Sequence, residues 1–292
     1  MLKNFICPDK GEIEIKECFK NCRMGCRCAP LGYLKAISEE RVWEGVPSVT
    51  QLIKGTRQAY LELTEDCSLD PQDALYRLIG TGYHGKIEDG DLAELPLLVD
   101  GIKGTLDLIE DDTLYDHKLT GSYKAQKVLG LQKFDGPEIY DDAGLPVKYV
   151  RGPRKGQTKR EIIWKRSGTP DLNDWKLQVN KYRTMAYKQY GYTPSKMKIF
   201  MGVRDSGLKI ARERGIDNKF YLVDVPFMDD EEVDKYFETK KMLLLSALET
   251  KVCPEPCTPE ESWDGRRCLE YCPVAKYCVG CPYKTEVLEE DE

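Results

Sequence analysis

Between Gly104 and Thr120 the chain reads G-T-L-D-L-I-E-D-D-T-L-Y-D-H-K-L-T, two short runs either side of an acidic Glu110-Asp111-Asp112. Thr, Leu, Ile and Tyr suit a pleated, half-buried surface, so Gly104–Ile109 and Thr113–Leu119 predict a β-hairpin. With Asp111 and Asp112 at the centre of the turn, Glu110 faces Thr113, Leu108 faces Tyr115, and Asp107 faces Asp116. Directly opposed residues hold their Cβ atoms about 5 Å apart, where like charges repel. Alternation along the strand puts Lys118 on the face of Asp116 and His117 on the other. Such a triplet has two readings. One is a solvated face on which Lys118 screens two acids. The other is a divalent cation between Asp107 and Asp116, since Mg²⁺ takes oxygen ligands and one or two carboxylates. Lys118 would then orient a water or stabilise developing charge.

The segments flanking the hairpin carry further signals. Upstream, Asp70 and Pro71 open a helix whose apolar side holds Leu75, Leu78 and Ile79. Its other side holds Arg77, Thr81, His84 and Glu88. His84 ends G-T-G-Y-H and is one of only two histidines in the chain, which makes it a candidate metal ligand. Leu95–Val99 predicts a strand with Pro96 near its start. Downstream, Asp174 caps a helix through about Tyr190 in which Gln178 and Tyr182, four apart, are neighbours on one face. Further helices are predicted from Pro30 through Ile37, from Ser48 through Leu61, over Ser122–Leu131 and over Asp230–Ala247. Strands are predicted at Lys196–Val203 and Lys219–Val225.

G-x-x-D, a turn and D-x-K, with a histidine before and Q-x-x-x-Y after, resemble the PD-(D/E)XK nuclease superfamily. The order of the four elements resembles its RecB-type branch, including the iron–sulfur CRISPR-adaptation exonucleases and the AddAB nuclease domains. The resemblance implies an α/β fold with a restriction-endonuclease-like mixed central sheet flanked by helices. It also implies metal-dependent hydrolysis of DNA phosphodiesters, exonucleolytic in type, with Mg²⁺ or Mn²⁺ on Asp107, Asp116, His84 and the His117 carbonyl. Lys118 would position water, while Gln178 and Tyr182 steady the substrate. DNA is the implied partner, with a helicase, recombinase or single-strand-binding protein as companion. Two rival readings are an inactive DNA-binding or assembly subunit of the same fold, and a cysteine-scaffold interaction protein.

Of twelve cysteines, eleven lie in two terminal groups. Met1–Lys10 contains Asn4, Asp9 and Lys10 and does not read as a signal peptide, and no apolar run approaches bilayer length. A cytoplasmic protein is therefore expected, in which such cysteines argue for metal over disulfides. Cys67 alone lies between the groups and reads as a packed thiol. The family's pattern of one cysteine before the core and three after it implies a [4Fe-4S] cluster on Cys28, Cys268, Cys272 and Cys278. The spacing Cys268-x3-Cys272 is one residue longer than usual, and zinc is the alternative metal. Cys7, Cys18, Cys22 and Cys26 could form a separate zinc site.

The expected organisation is a Cys-rich segment over 1–30, a core over 31–250, and a Cys-rich staple with an acidic tail over 251–292. A Gly- and Pro-rich insertion interrupts the core at about 132–170. It carries Arg151, Arg154, Lys155, Lys159 and Arg160 with Tyr149 and Trp164 among them, a composition suited to a phosphate backbone. The net charge of −6 does not exclude this, because basic footprints are local.

Overall fold

The computed structural model describes residues 2–22, 27–39, 42–87 and 93–283, with only the backbone described for Arg77, Thr81, residues 83–87 and Asn173. Cys26, Glu88 and the acidic tail at 289–292 lie outside the described residues. The chain divides into two compact units. The first comprises Met1–Leu114, Asp174–Ser195 and Pro226–Glu292, and the second Tyr115–Asn173 and Lys196–Val225. Both mix helices with strands, as the α/β expectation requires.

The first unit opens with β1 (Leu2–Cys7), β2 (Gly11–Glu14) and α1 (Ile15–Lys20), three elements within the stretch read from sequence only as a Cys-rich segment. β1 pairs antiparallel with β2 and parallel with β3 (Cys67–Leu69). The sequence hides these elements because they bury so little: α1 has no buried residue, and Phe5 is the one buried side chain of β1 and β2. Phe5 packs with Leu34 and Ile37 of α2 (Leu31–Ser38) and with Ala74.

The helix predicted from Ser48 is two helices, α3 (Val49–Ile53) and α4 (Thr56–Thr64). Ser48 caps α3 as expected, its hydroxyl accepting from the Gln51 N–H at 3.2 Å. The break falls at Lys54-Gly55, where a Cβ on Gly55 would meet Cys257 Sγ at 2.2 Å. The next helix, α5 (Ala74–Ile87), starts three residues later than Pro71. Asp70 accepts from the Gln72 N–H at 2.8 Å, but the Tyr33 hydroxyl donates to the Pro71 carbonyl and holds that proline in a turn.

β4 (Ala93–Val99) and β5 (Ile102–Glu110) form an antiparallel pair across Asp100-Gly101. A second two-residue turn, Asp111-Asp112, leads into β6 (Thr113–Thr120). All four turn residues have positive φ, the conformation whose twist matches a two-residue hairpin, and Asp reaches it more readily than most residues. In the second unit, α6 (Ser122–Val128) leads to a ribbon of β7 (Leu131–Glu138) and β8 (Arg160–Arg166). After α7 (Asn173–Tyr190), β9 (Lys196–Val203) follows. The Ser195 N–H donates to the Asp112 carbonyl and the Arg204 N–H to that of Thr120, so β9 runs parallel to β6. Short α8 (Lys209–Arg212) precedes β10 (Phe220–Asp224), which is antiparallel to β9. The strand order β10-β9-β6-β5-β4 is that of a mixed sheet.

The first unit closes with α9 (Asp230–Thr250), α10 (Pro259–Ser262) and two short turns of helix at Arg267–Tyr271 and Ala275–Tyr277. Helix α7 is buried over Val179–Ala186, polar residues included. Asn180 spans to residues 226–228, donating to the Pro226 carbonyl and accepting from the Met228 N–H. Lys181 pairs with Asp234 at 2.8 Å. Among the described residues no helix is long and apolar enough to cross a membrane.

Candidate active site and cysteine clusters

Asp116 is 1% exposed. Neither of its carboxylate oxygens receives a hydrogen bond from the described residues. Lys118 Nζ lies 2.7 Å from Oδ2, an ion pair lacking hydrogen-bond directionality, and keeps 20% of its side chain exposed. Burying a carboxylate without donors is costly, and a protein removes that cost with a counter-ion or a metal. His117 turns away, as alternation requires, and its ring meets that of Phe200 edge-on at 5.7 Å. Only its backbone carbonyl is therefore suited to a ligand role on the Asp116 side.

In the first unit, Asp107 is half-buried on β5. Because Asp111-Asp112 forms the two-residue turn, Asp107 stands four residues before it and Asp116 four after. The helix motif meets the same strand. A Cβ on Gly104 would come within 2.8 Å of the Tyr182 ring and 3.5 Å of Val49. The glycine of G-x-x-D thus makes room for the tyrosine of Q-x-x-x-Y. Gln178 and Tyr182 are both buried, and the Gln178 amide donates to the Tyr182 hydroxyl at 3.1 Å. Such burial leaves little of either side chain open to a substrate; besides their mutual hydrogen bond, the Tyr182 ring lies against Gly104 of β5. Gly104→Ala is expected to destabilise by about 1–3 kcal/mol through overpacking, read as a lower urea midpoint at unchanged slope. The side chain of His84 lies outside the described residues, although its backbone belongs to α5.

The insertion is a β-ribbon rooted by Trp164. A Cβ on Gly215 would lie 2.4 Å from the Trp164 ring, which shows how closely they pack. Arg151, Arg154 and Lys155 are exposed in the loop between β7 and β8. Lys159 lies 5.8 Å from the Tyr149 ring centre, and Arg160 is committed to Glu138 at 3.1 Å.

Nine of the cysteines line two cavities. Cys7, Cys18, Cys22 and Cys28 line one. Cys257, Cys268, Cys272, Cys278 and Cys281 line the other. The structure therefore groups Cys28 with the N-terminal thiols, apart from Cys268, Cys272 and Cys278. The cause is local: Arg27 donates to the carbonyls of Cys18 and Phe19 at 2.8 and 3.0 Å, holding the next residue against the end of α1. The C-terminal loops are seated by Arg57, which donates to the carbonyls of Pro254 and Val279 and lies 3.8 Å from Cys278 Sγ. Burial pushes the Cys268 thiol up to about 12, aided by Cys281, Cys272 and Cys257 beside it. Burial also raises the thiols of Cys272, Cys257 and Cys18. Without a cation these sulfurs are neutral thiols. As placed, no three His, Cys, Asp or Glu side chains among the described residues form a metal shell. Arg57 and Cys257 carry no local sequence signal that sets them in this cluster. Cys67 is buried, as expected of a packed thiol.

No family model matches the chain, and no curated protein matches it. Among solved structures, one described as "Crystal structure of SSO0001" is similar with a TM-score of 0.40 and 15% identity. That similarity covers 85% of this chain and 91% of the other.

Proposed function

We propose that the chain is a metal-dependent deoxyribonuclease of the PD-(D/E)XK type, acting on DNA ends. The observation that carries the reading is Asp116, a buried carboxylate with no hydrogen-bond donor among the described residues and a lysine ammonium at 2.7 Å on the same strand. An orphaned carboxylate fits a hard divalent cation such as Mg²⁺ or Mn²⁺. Asp116 and the His117 carbonyl are the residues of the second unit that would hold it, and Asp107 and His84 are ligands only by the family resemblance. Bound there, the cation supplies Lewis-acid polarisation of a phosphoryl oxygen. Lys118, partly exposed beside Asp116, orients the attacking water and offsets negative charge as the phosphate becomes more anionic. Gln178 and Tyr182 act as positioning residues: Gln178 holds the Tyr182 hydroxyl, and the Tyr182 ring packs against Gly104 of β5.

Cys268, Cys272 and Cys278, with Cys257 and Cys281 beside them, supply enough thiols for an iron–sulfur cluster or zinc without Cys28. Such a centre makes metal-binding energy into folding energy for a short, irregular segment. The exposed cations of the insertion serve the DNA backbone. Neutralising Arg151, Arg154, Lys155, Lys159 and Arg160 together is expected to lower the salt slope of DNA binding by about 3–4, because each phosphate contact releases close to one counter-ion. Arg160, held by Glu138, contributes least. Filter binding across a salt series checks this, and turnover at saturating DNA should remain.

The function itself is tested with linear and covalently closed circular DNA incubated with Mn²⁺ or with chelator. Shortening of linear DNA alone, abolished by chelator, supports the reading. Inertness toward both DNAs with Mg²⁺ and Mn²⁺ refutes it and favours an inactive DNA-binding or assembly subunit.

A further inference from the structure

We infer that Cys7, Cys18, Cys22 and Cys28 form a structural zinc site, separate from the C-terminal cysteine cluster. The four residues come from three places: Cys7 ends β1, Cys18 lies on α1, and Cys22 and Cys28 follow α1. They nonetheless line one cavity with Phe5, Ile13 and Leu34.

A second, independent observation asks for a staple. Over residues 2–22 and 27–30 the buried side chain is Phe5 alone. α1 has six residues, no side-chain cap at its start and no buried residue. β2 is four residues long with three of them exposed. A helix that short is marginal in water, and so little apolar burial does not offset the entropy of ordering some two dozen residues. Small modules in this position are usually completed by disulfides or metal. Disulfide pairing is not seen, as Cys7, Cys18, Cys22 and Cys28 are all free thiols.

Four thiolates and no histidine or carboxylate in the set suit the tetrahedral, closed coordination of structural zinc. Cys18 lies near the C-terminal end of α1, and Cys22 follows two residues after the helix ends. Arg27 brings Cys28 to them by gripping the carbonyls at the end of α1. Neutral thiols have no mutual attraction and thiolates repel, so the shell closes only around a cation, with release of the thiol protons. This inference does not depend on the nuclease reading: a chain inert toward DNA leaves it intact.

The first test uses the unsubstituted chain. Full-length protein purified without added metal is treated with iodoacetamide, with and without a zinc chelator, and each cysteine is followed by mass spectrometry. Cys28 and Cys253 are both exposed, so without metal both react rapidly. The inference expects Cys7, Cys18, Cys22 and Cys28 to be shielded together and released together by chelator, while Cys253 reacts throughout. Modification of Cys28 at the rate of Cys253 in untreated protein overturns it, as does shielding of Cys26 in its place. X-ray absorption at the zinc edge provides a second readout, expected to show four sulfur neighbours at about 2.3 Å. Zinc content should fall by one per chain in Cys28→Ser and stay unchanged in Cys26→Ser. Protein free of zinc overturns the inference outright.

Discussion

Asp116→Asn should lose DNA hydrolysis by at least about 10³-fold while unfolding within about 1 kcal/mol of the wild type. The two effects separate because the carboxylate is poorly placed for stability. Asp116 is buried, its oxygens have no hydrogen-bond donor among the described residues, and its ionic partner Lys118 retains access to water. Removing the charge relieves a desolvation cost that the lysine offsets only in part. The catalytic loss is large because an amide is a weak ligand for a hard cation, and Lewis-acid stabilisation is worth several kcal/mol in the transition state. Lys118→Met should slow turnover at saturating DNA more than it weakens DNA binding, since the ammonium acts on charge that develops during reaction. Equal loss of activity and stability in Asp116→Asn would instead mark the pair as structural.

The largest stability effect should come from Asp234→Asn, about 3 kcal/mol by urea unfolding at neutral pH. Asp234 pairs at 2.8 Å with both Lys181 and Lys188 and accepts from the Thr184 hydroxyl at 3.2 Å. Lys181 keeps only 2% of its side chain exposed, so removing its partner leaves a buried ammonium uncompensated. The figure sits at the low end for a broken buried pair because Asp234 itself is 28% exposed. Burial alone would raise the Asp234 carboxyl, but Lys181 and Lys188 outweigh it and hold the carboxyl below its ordinary range. A carboxylate lowered on folding contributes stability that is present above its unfolded value, near 3.9, and lost as pH falls through the folded value. The gap between wild type and variant should therefore be constant from pH 6 to 8 and close only below about pH 4. A gap that closes near pH 6 would contradict the assignment.

This pair also shows where sequence reading fails. Asn180, Lys181, Arg183 and Thr184 look like the wet side of α7, yet all are buried. Their partners are Pro226, Met228, Asp230 and Asp234, some fifty residues later, which no local pattern reveals. The hairpin was legible because its determinants are local. Alternation and two turn aspartates define β5 and β6, and the observed turn falls on Asp111-Asp112. The contact of Gly104 with Tyr182 joins two motifs that the sequence could only set in order. The cysteines were legible as two groups but not as partners, because Arg27 and Arg57 decide which thiols meet through backbone carbonyls.

The central claim is that Asp116 holds a hard divalent cation, and Mn²⁺ binding to chelator-treated protein, read by electron paramagnetic resonance, tests it most directly. The thiol clusters are soft donors and compete poorly for Mn²⁺, so the signal reports the carboxylate site. Wild-type protein should bind Mn²⁺ saturably at a carboxylate site, and Asp116→Asn should lose that binding while remaining folded. Equal Mn²⁺ binding by both proteins, or none by the wild type, would contradict the account.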